Sequence, residues 1–99
     1  MNRRTKGIRL EKMACRSLIA DGYRVYRVPA SRMYQLQEDI FGIWDILCIL
    51  PYEIKFIQVK SNQKRDISMH KIFAETYRAV CTCEVWVYTD YKGWKKIKL

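Results

Sequence analysis

Apolar and polar positions along this chain repeat with two periods, and each change of period marks a change of element. From about Arg4 to Ala20, Ile8, Glu11, Cys15, Leu18 and Ile19 fall on one stripe at 100° per residue, which predicts a helix. Asp21-Gly22 supplies the left-handed stop, and Gly7 weakens the first turn. Tyr23 to Val28 alternates apolar with basic residues and predicts a strand closed by Pro29, with a polar loop over 30–42 after it. Ile43 to Leu50 predicts a second strand, apolar on both faces except at Asp45, as for a strand covered on both sides. After the Pro51-Tyr52-Glu53 turn, Lys55 to Lys60 predicts a third strand. Its period of two sets Phe56, Gln58 and Lys60 on one face and Ile57 and Val59 on the other. A helix capped by Asp66 or Ser68 is predicted to run to about Val80, with Met69, Ile72, Phe73, Thr76, Tyr77 and Val80 facing inward. Glu84 to Thr89 and Trp94 to Leu99 complete the pattern as two strands joined by Asp90-Tyr91-Lys92-Gly93, the last at a sheet edge. The order is α-β-β-β-α-β-β, with no internal repeat.

At 99 residues the chain suits one domain, 1–99. A chain of this size buries only roughly 60–65% of its surface, so homodimerisation is expected. The formal charge of +9 selects polyanionic partners without distinguishing DNA, RNA and an anionic membrane. The longest apolar run, Ile43 to Leu50, is far short of the roughly 20 residues of a bilayer crossing, so no membrane role is expected. The basic start, Met1 to Lys6, precedes no secretory apolar stretch, and an intracellular location is expected. Cys15, Cys48, Cys81 and Cys83 read as reduced, mostly buried thiols, because Cys81-Thr82-Cys83 lacks zinc-site spacing. His70, the sole histidine, reads as a surface or capping residue away from the strands that carry Asp45 and Gln58. With one histidine and no serine elbow, neither a histidine-based metal site nor a Ser-His-Asp set is expected, and no small-molecule cofactor is implied.

Glu11, Asp45 and the Gln58/Lys60 pair are polar intrusions in otherwise apolar elements. Each costs several kcal/mol unless it is paired or coordinates something, so a common pocket is expected: a hairpin would set Asp45 beside Gln58, with the first helix bringing Glu11 over both. Glu11, Gly42-Ile43-Trp44-Asp45-Ile46 and Phe56-Ile57-Gln58-Val59-Lys60-Ser61 together resemble the core of the PD-(D/E)XK nucleases. The likeness is nearest to archaeal and viral Holliday-junction resolvases and stand-alone VRR-Nuc proteins, and covers Arg9 to Asn62.

The resemblance implies an α/β restriction-endonuclease-like fold, a mixed central sheet flanked by helices, and an endonuclease that needs Mg²⁺ or Mn²⁺ and cuts branched DNA such as a four-way junction as a homodimer. It makes Asp45 the principal metal ligand, with Gln58 giving its amide oxygen, Val59 a backbone carbonyl, and Glu11 completing the shell directly or through water. Lys60 would face the attacking water and the phosphate. Trp44 and Gln58 depart from the family's usual Pro and Glu or Asp. Amide in place of carboxylate removes one negative charge, which Glu38 or Asp39 could restore. Two other readings stay open: a DNA- or RNA-binding domain whose metal site has decayed, and an RNA-processing nuclease. Candidate nucleic-acid contacts are Arg3, Arg4 and Arg9 at the start, Lys64 and Arg65 after the third strand, and Ser31 and Arg32, where Pro29-Ala30-Ser31-Arg32 resembles a resolvase loop with a functional serine. Lys95, Lys96 and Lys98 read as protection for the edge strand.

Overall fold

The computed structural model describes residues 3–28, 39–62 and 66–99, with residues 3 and 4 as backbone only. Ser31, Arg32, Glu38, Lys64 and Arg65, and the side chains of Arg3 and Arg4, which the sequence offers as candidate site residues, lie outside the described residues.

The first helix, α1 (Arg3–Ala20), ends as its sequence predicts. Gly22 takes φ 96°, its N–H bonds Ile19 O at 2.9 Å, and Tyr23 N–H reaches back to Leu18 O at 3.0 Å, which satisfies two carbonyls the helix leaves open. The buried stripe differs from the expected one. Leu10, Ala14 and Leu18 are wholly enclosed, Glu11 and Cys15 flank them, and Ile19 is exposed. Small Ala14 allows the helix to approach the sheet closely, and that rotates the inward face by about one residue.

Among the described residues, five strands form one sheet in the order β1-β2-β3-β4-β5: β1 (Arg24–Arg27), β2 (Ile46–Leu50), β3 (Glu53–Ser61), β4 (Thr82–Thr89) and β5 (Gly93–Lys98). Only β3 and β4 run parallel, because the second helix, α2 (Ser68–Thr76), carries the chain between them, whereas the other neighbours are antiparallel. The α1 side of the sheet buries Ala14, Leu18, Ile46, Cys48, Ile57 and Trp86 together. The other side encloses Trp44, Phe56, Ala74 and Cys83 under α2. Burying each large aliphatic side chain contributes about 1.5–3 kcal/mol.

Two further expectations are corrected. The strand predicted from Ile43 begins at Ile46, because Ile40 and Trp44 pair across a turn that uses positive φ at Phe41 (54°) and Gly42 (76°). The second helix stops at Thr76 and turns a different face inward. Ile67, His70 and Ala74 are buried, while Met69, Ile72, Tyr77 and Val80 are exposed. A helix apolar on most of its circumference leaves its orientation undetermined by period alone, and the smallest residue, Ala74, takes the closest approach.

Candidate active site

Asp45 owes its position to the turn before it. Ile40 and Trp44 exchange backbone bonds at 2.8 and 3.0 Å, which drives the Trp44 ring beneath Phe56 and Phe73, 6.0 and 5.6 Å away between centroids. His70 fastens the same turn from α2. Its Nε2 lies 2.9 Å from Ile43 O, and its ring meets Trp44 edge-on at 5.0 Å. Asp45 then donates its N–H to Ile57 O at 3.1 Å, and its carbonyl accepts from Val28 N–H at 3.2 Å. The antiparallel register ends at Ile46 opposite Ile57, and one further step sets Asp45 opposite Gln58. Here the side chain replaces the backbone as acceptor: Asp45 Oδ2 takes the Val59 N–H at 2.8 Å. Directly opposed residues share a face, so Asp45 stands with Phe56, Gln58 and Lys60 on one side of the sheet.

The electrostatics mark a crowded acidic site. Asp45 is 7% exposed, and its pKa is pushed up to about 7. Burial is the main cause, the charges of Glu11 and Asp39 add to it, and the Val59 N–H and Lys60 oppose it. Asp39 is also raised, first by burial, against the countering effects of Lys60 and a hydrogen bond with Asp45. Glu11 rises through burial, although Arg27 Nη1 approaches its Oε1 at 3.3 Å and offsets part of that cost. Three carboxyl groups therefore feel one another around Asp45, and each favours a proton more than it would in water.

Hard oxygen donors without enough cationic compensation suit a divalent metal. Gln58 strengthens the fit: its Oε1 is buried with no hydrogen-bond partner, an acceptor left for something other than the protein. Asp45 Oδ2 is engaged by the Val59 N–H, and the Asp45 carboxyl also meets Asp39, so a cation here would draw on both acids. Among the described residues no three His, Cys, Asp or Glu side chains form a cage by themselves. Mg²⁺ does not require one, since it is usually held by one or two carboxylates and keeps several waters.

The structure thus gathers Asp45, Gln58, Val59 and Lys60 at one end of β2 and β3 and brings Glu11 within reach by its charge. Val59 is tied to the site through its N–H. Arg9 is exposed on α1, beside Lys6. Asp39, named from the sequence only as a source of missing charge, stands against Asp45. His70 is the correction: it is buried, its Nδ1 has no partner, and its titration senses Lys60 and Asp39. Arg27 was missed, although a basic residue in an alternating strand on the side that holds an unpaired Glu11 was a readable signal.

No family model matches the chain, and no curated protein matches it significantly. Among solved structures it is similar to Hjc, a Holliday junction resolvase from the archaeal hyperthermophile Archaeoglobus fulgidus. The TM-score is 0.66 at 18% identity, over 94% of this chain and 72% of that one. The element order and the mixed five-stranded sheet between two helices agree with it, and the fold of this chain is restriction-endonuclease-like.

Proposed function

We propose that this protein is a Mg²⁺- or Mn²⁺-dependent endonuclease that hydrolyses DNA phosphodiester bonds in branched substrates such as four-way junctions, as a homodimer. The observation that carries the reading is the orphaned Gln58 Oε1 opposite a buried Asp45 whose pKa lies near 7. Support comes from the fold shared with a resolvase and from a charge of +9. When bound, the cation would polarise the phosphate and acidify a water. Asp45 and Gln58 Oε1 would hold it, and Asp39, Glu11 and the Val59 carbonyl would complete the shell directly or through water. The Val59 N–H fixes one oxygen of the Asp45 carboxylate and so its orientation. Lys60 would offer its ammonium to the phosphate and the attacking water. Exposed Phe41, Ile54, Met69, Ile72, Tyr77 and Val80 give a homodimer an apolar surface to cover.

Gln58 in place of a carboxylate favours one rival, a binding domain that has kept the fold and lost catalysis. Labelled four-way junction, duplex, single-stranded DNA and RNA, incubated with Mg²⁺ or Mn²⁺, separate the readings. The expected result is metal-dependent cutting of the junction, reduced at least about 100-fold, some 2.7 kcal/mol of barrier, by Asp45→Ala or Lys60→Ala. Tight, salt-sensitive binding without cutting in either metal would leave the rival standing. Cutting of RNA alone would make the enzyme an RNA-processing nuclease.

A further inference from the structure

Tyr91 sits where local backbone rules favour it least. The β4–β5 turn is closed by a hydrogen bond from Lys92 N–H to Thr89 O at 3.0 Å, which makes Tyr91 the third residue of the turn. Its φ is 67°, in the region where such turns select Gly or Asn because a Cβ is strained there. Burial does not compensate, for the Tyr91 side chain is fully exposed. An aromatic ring held in a strained conformation and presented to solvent calls for a reason outside packing.

Its surroundings supply one. Tyr91 lines an open recess of about 510 Å³ with Lys6, Arg9, Tyr88 and Asp90. Lys6 Nζ pairs with Asp90 Oδ2 at 3.0 Å, Asn62 Nδ2 reaches the same oxygen at 3.4 Å, and Asn62 Oδ1 accepts the Asp90 N–H at 3.1 Å. The start of α1, the end of β3 and the β4–β5 turn are thereby joined into one wall. Arg9 adds a second cation whose field reaches Asp90, so the recess keeps a net positive charge. β3, which carries Gln58 and Lys60, and α1, which carries Glu11, both lead toward this end of the sheet; the recess lies on its α1 side, so a strand held at Asp45 on the α2 side reaches it around the end of β3. From Gln58 to Asn62 along β3 is about 13 Å at about 3.3 Å per residue, and from Glu11 to Lys6 along α1 is about 7.5 Å.

We propose that this recess binds one unpaired nucleotide of the DNA strand held at Asp45, its base stacked on Tyr91 and its phosphate on Lys6 and Arg9. The inference rests on the nuclease reading and adds a substrate preference to it. A base inside continuous duplex has both faces covered, so a projecting ring finds a free face only at a branch point, a strand end or in single-stranded DNA. The incoming phosphate takes Asp90's place on Lys6, while the hydrogen bonds between Asn62 and Asp90 hold the turn.

The test uses the full chain in EDTA, where no cutting occurs. Junction DNA carries a fluorescent adenine analogue at the branch point, single-stranded DNA carries it at an internal position, and continuous duplex serves as control. Tyr91→Ala is expected to weaken binding of unpaired DNA by roughly 5- to 150-fold, the cost of losing one base–aromatic stack, and to leave duplex within about twofold. Tyr91→Phe should keep both the affinity and the quenching of the analogue. Tyr91→Gly should bind as weakly as the alanine variant while its Tm rises, since glycine relieves the strained φ. Lys6→Ala should lower the salt slope by about one. Equal losses on unpaired and duplex DNA, no loss on either, or quenching that survives in Tyr91→Ala would overturn the proposal. Junction cutting by the wild-type protein in Mg²⁺ tests the parent reading separately. Tyr91-dependent binding without cutting sinks only the nuclease, and cutting without Tyr91 dependence sinks only this subsite.

Discussion

At Asp45 a demand for charge meets a site that resists it. Its raised folded pKa, about 7, means that the fold favours the protonated acid, whereas the unfolded chain ionises near the usual carboxylate value of about 3.9. The stabilisation from that group is therefore complete below about pH 4 and is lost as pH rises through about 7, a change of about 4 kcal/mol across the window. Asn in its place keeps an oxygen for the Val59 N–H and cannot ionise. In metal-free buffer Asp45→Asn is expected to melt several degrees above wild type near about pH 8.5, with the gap closing near about pH 4.5. Parallel melting curves at the two pH values would contradict the burial described here. Gln58→Glu adds the missing charge and is expected to tighten Mn²⁺ binding about tenfold by calorimetry, about 1.4 kcal/mol. Unchanged or weaker affinity would remove Gln58 from the metal's immediate shell.

Between elements, the Ile40–Trp44 turn couples α2 to the site. His70 on α2 bonds Ile43 O, two residues before Asp45, and also braces Trp44. His70→Ala removes a buried hydrogen bond and aromatic packing at once, and is expected to cost about 2–4 kcal/mol in urea melts while weakening Mn²⁺ binding. A stability loss with metal affinity intact would confine His70 to the core. The parallel pairing of β3 with β4 follows from the α2 crossover, and it places Ser61 beside Tyr88, so the strand of Gln58 and Lys60 ends at the recess of Tyr91.

For the whole molecule, the apolar exposure of α2 and the turn at Phe41 stands out on a chain with a formal charge of +9. If this face closes a homodimer, sedimentation should show a dimer for the wild-type chain at micromolar concentration and a monomer for Ile72→Lys with unchanged far-ultraviolet circular dichroism. A wild-type monomer would refute the dimer. Local pattern was enough to determine the element order, the α1 stop at Gly22, the shared face of Phe56, Gln58 and Lys60, and the prominence of Glu11 and Asp45. Those features follow from periods of 3.6 and 2 and from the cost of isolated polar groups in apolar stretches, all of them short-range. Which side of each helix packs, the burial of His70, the approach of Asp39 to Asp45 and the pairing of Arg27 with Glu11 were decided by tertiary structure. They depend on side-chain volume at the closest contact and on distances between residues far apart in the chain, which no local period encodes.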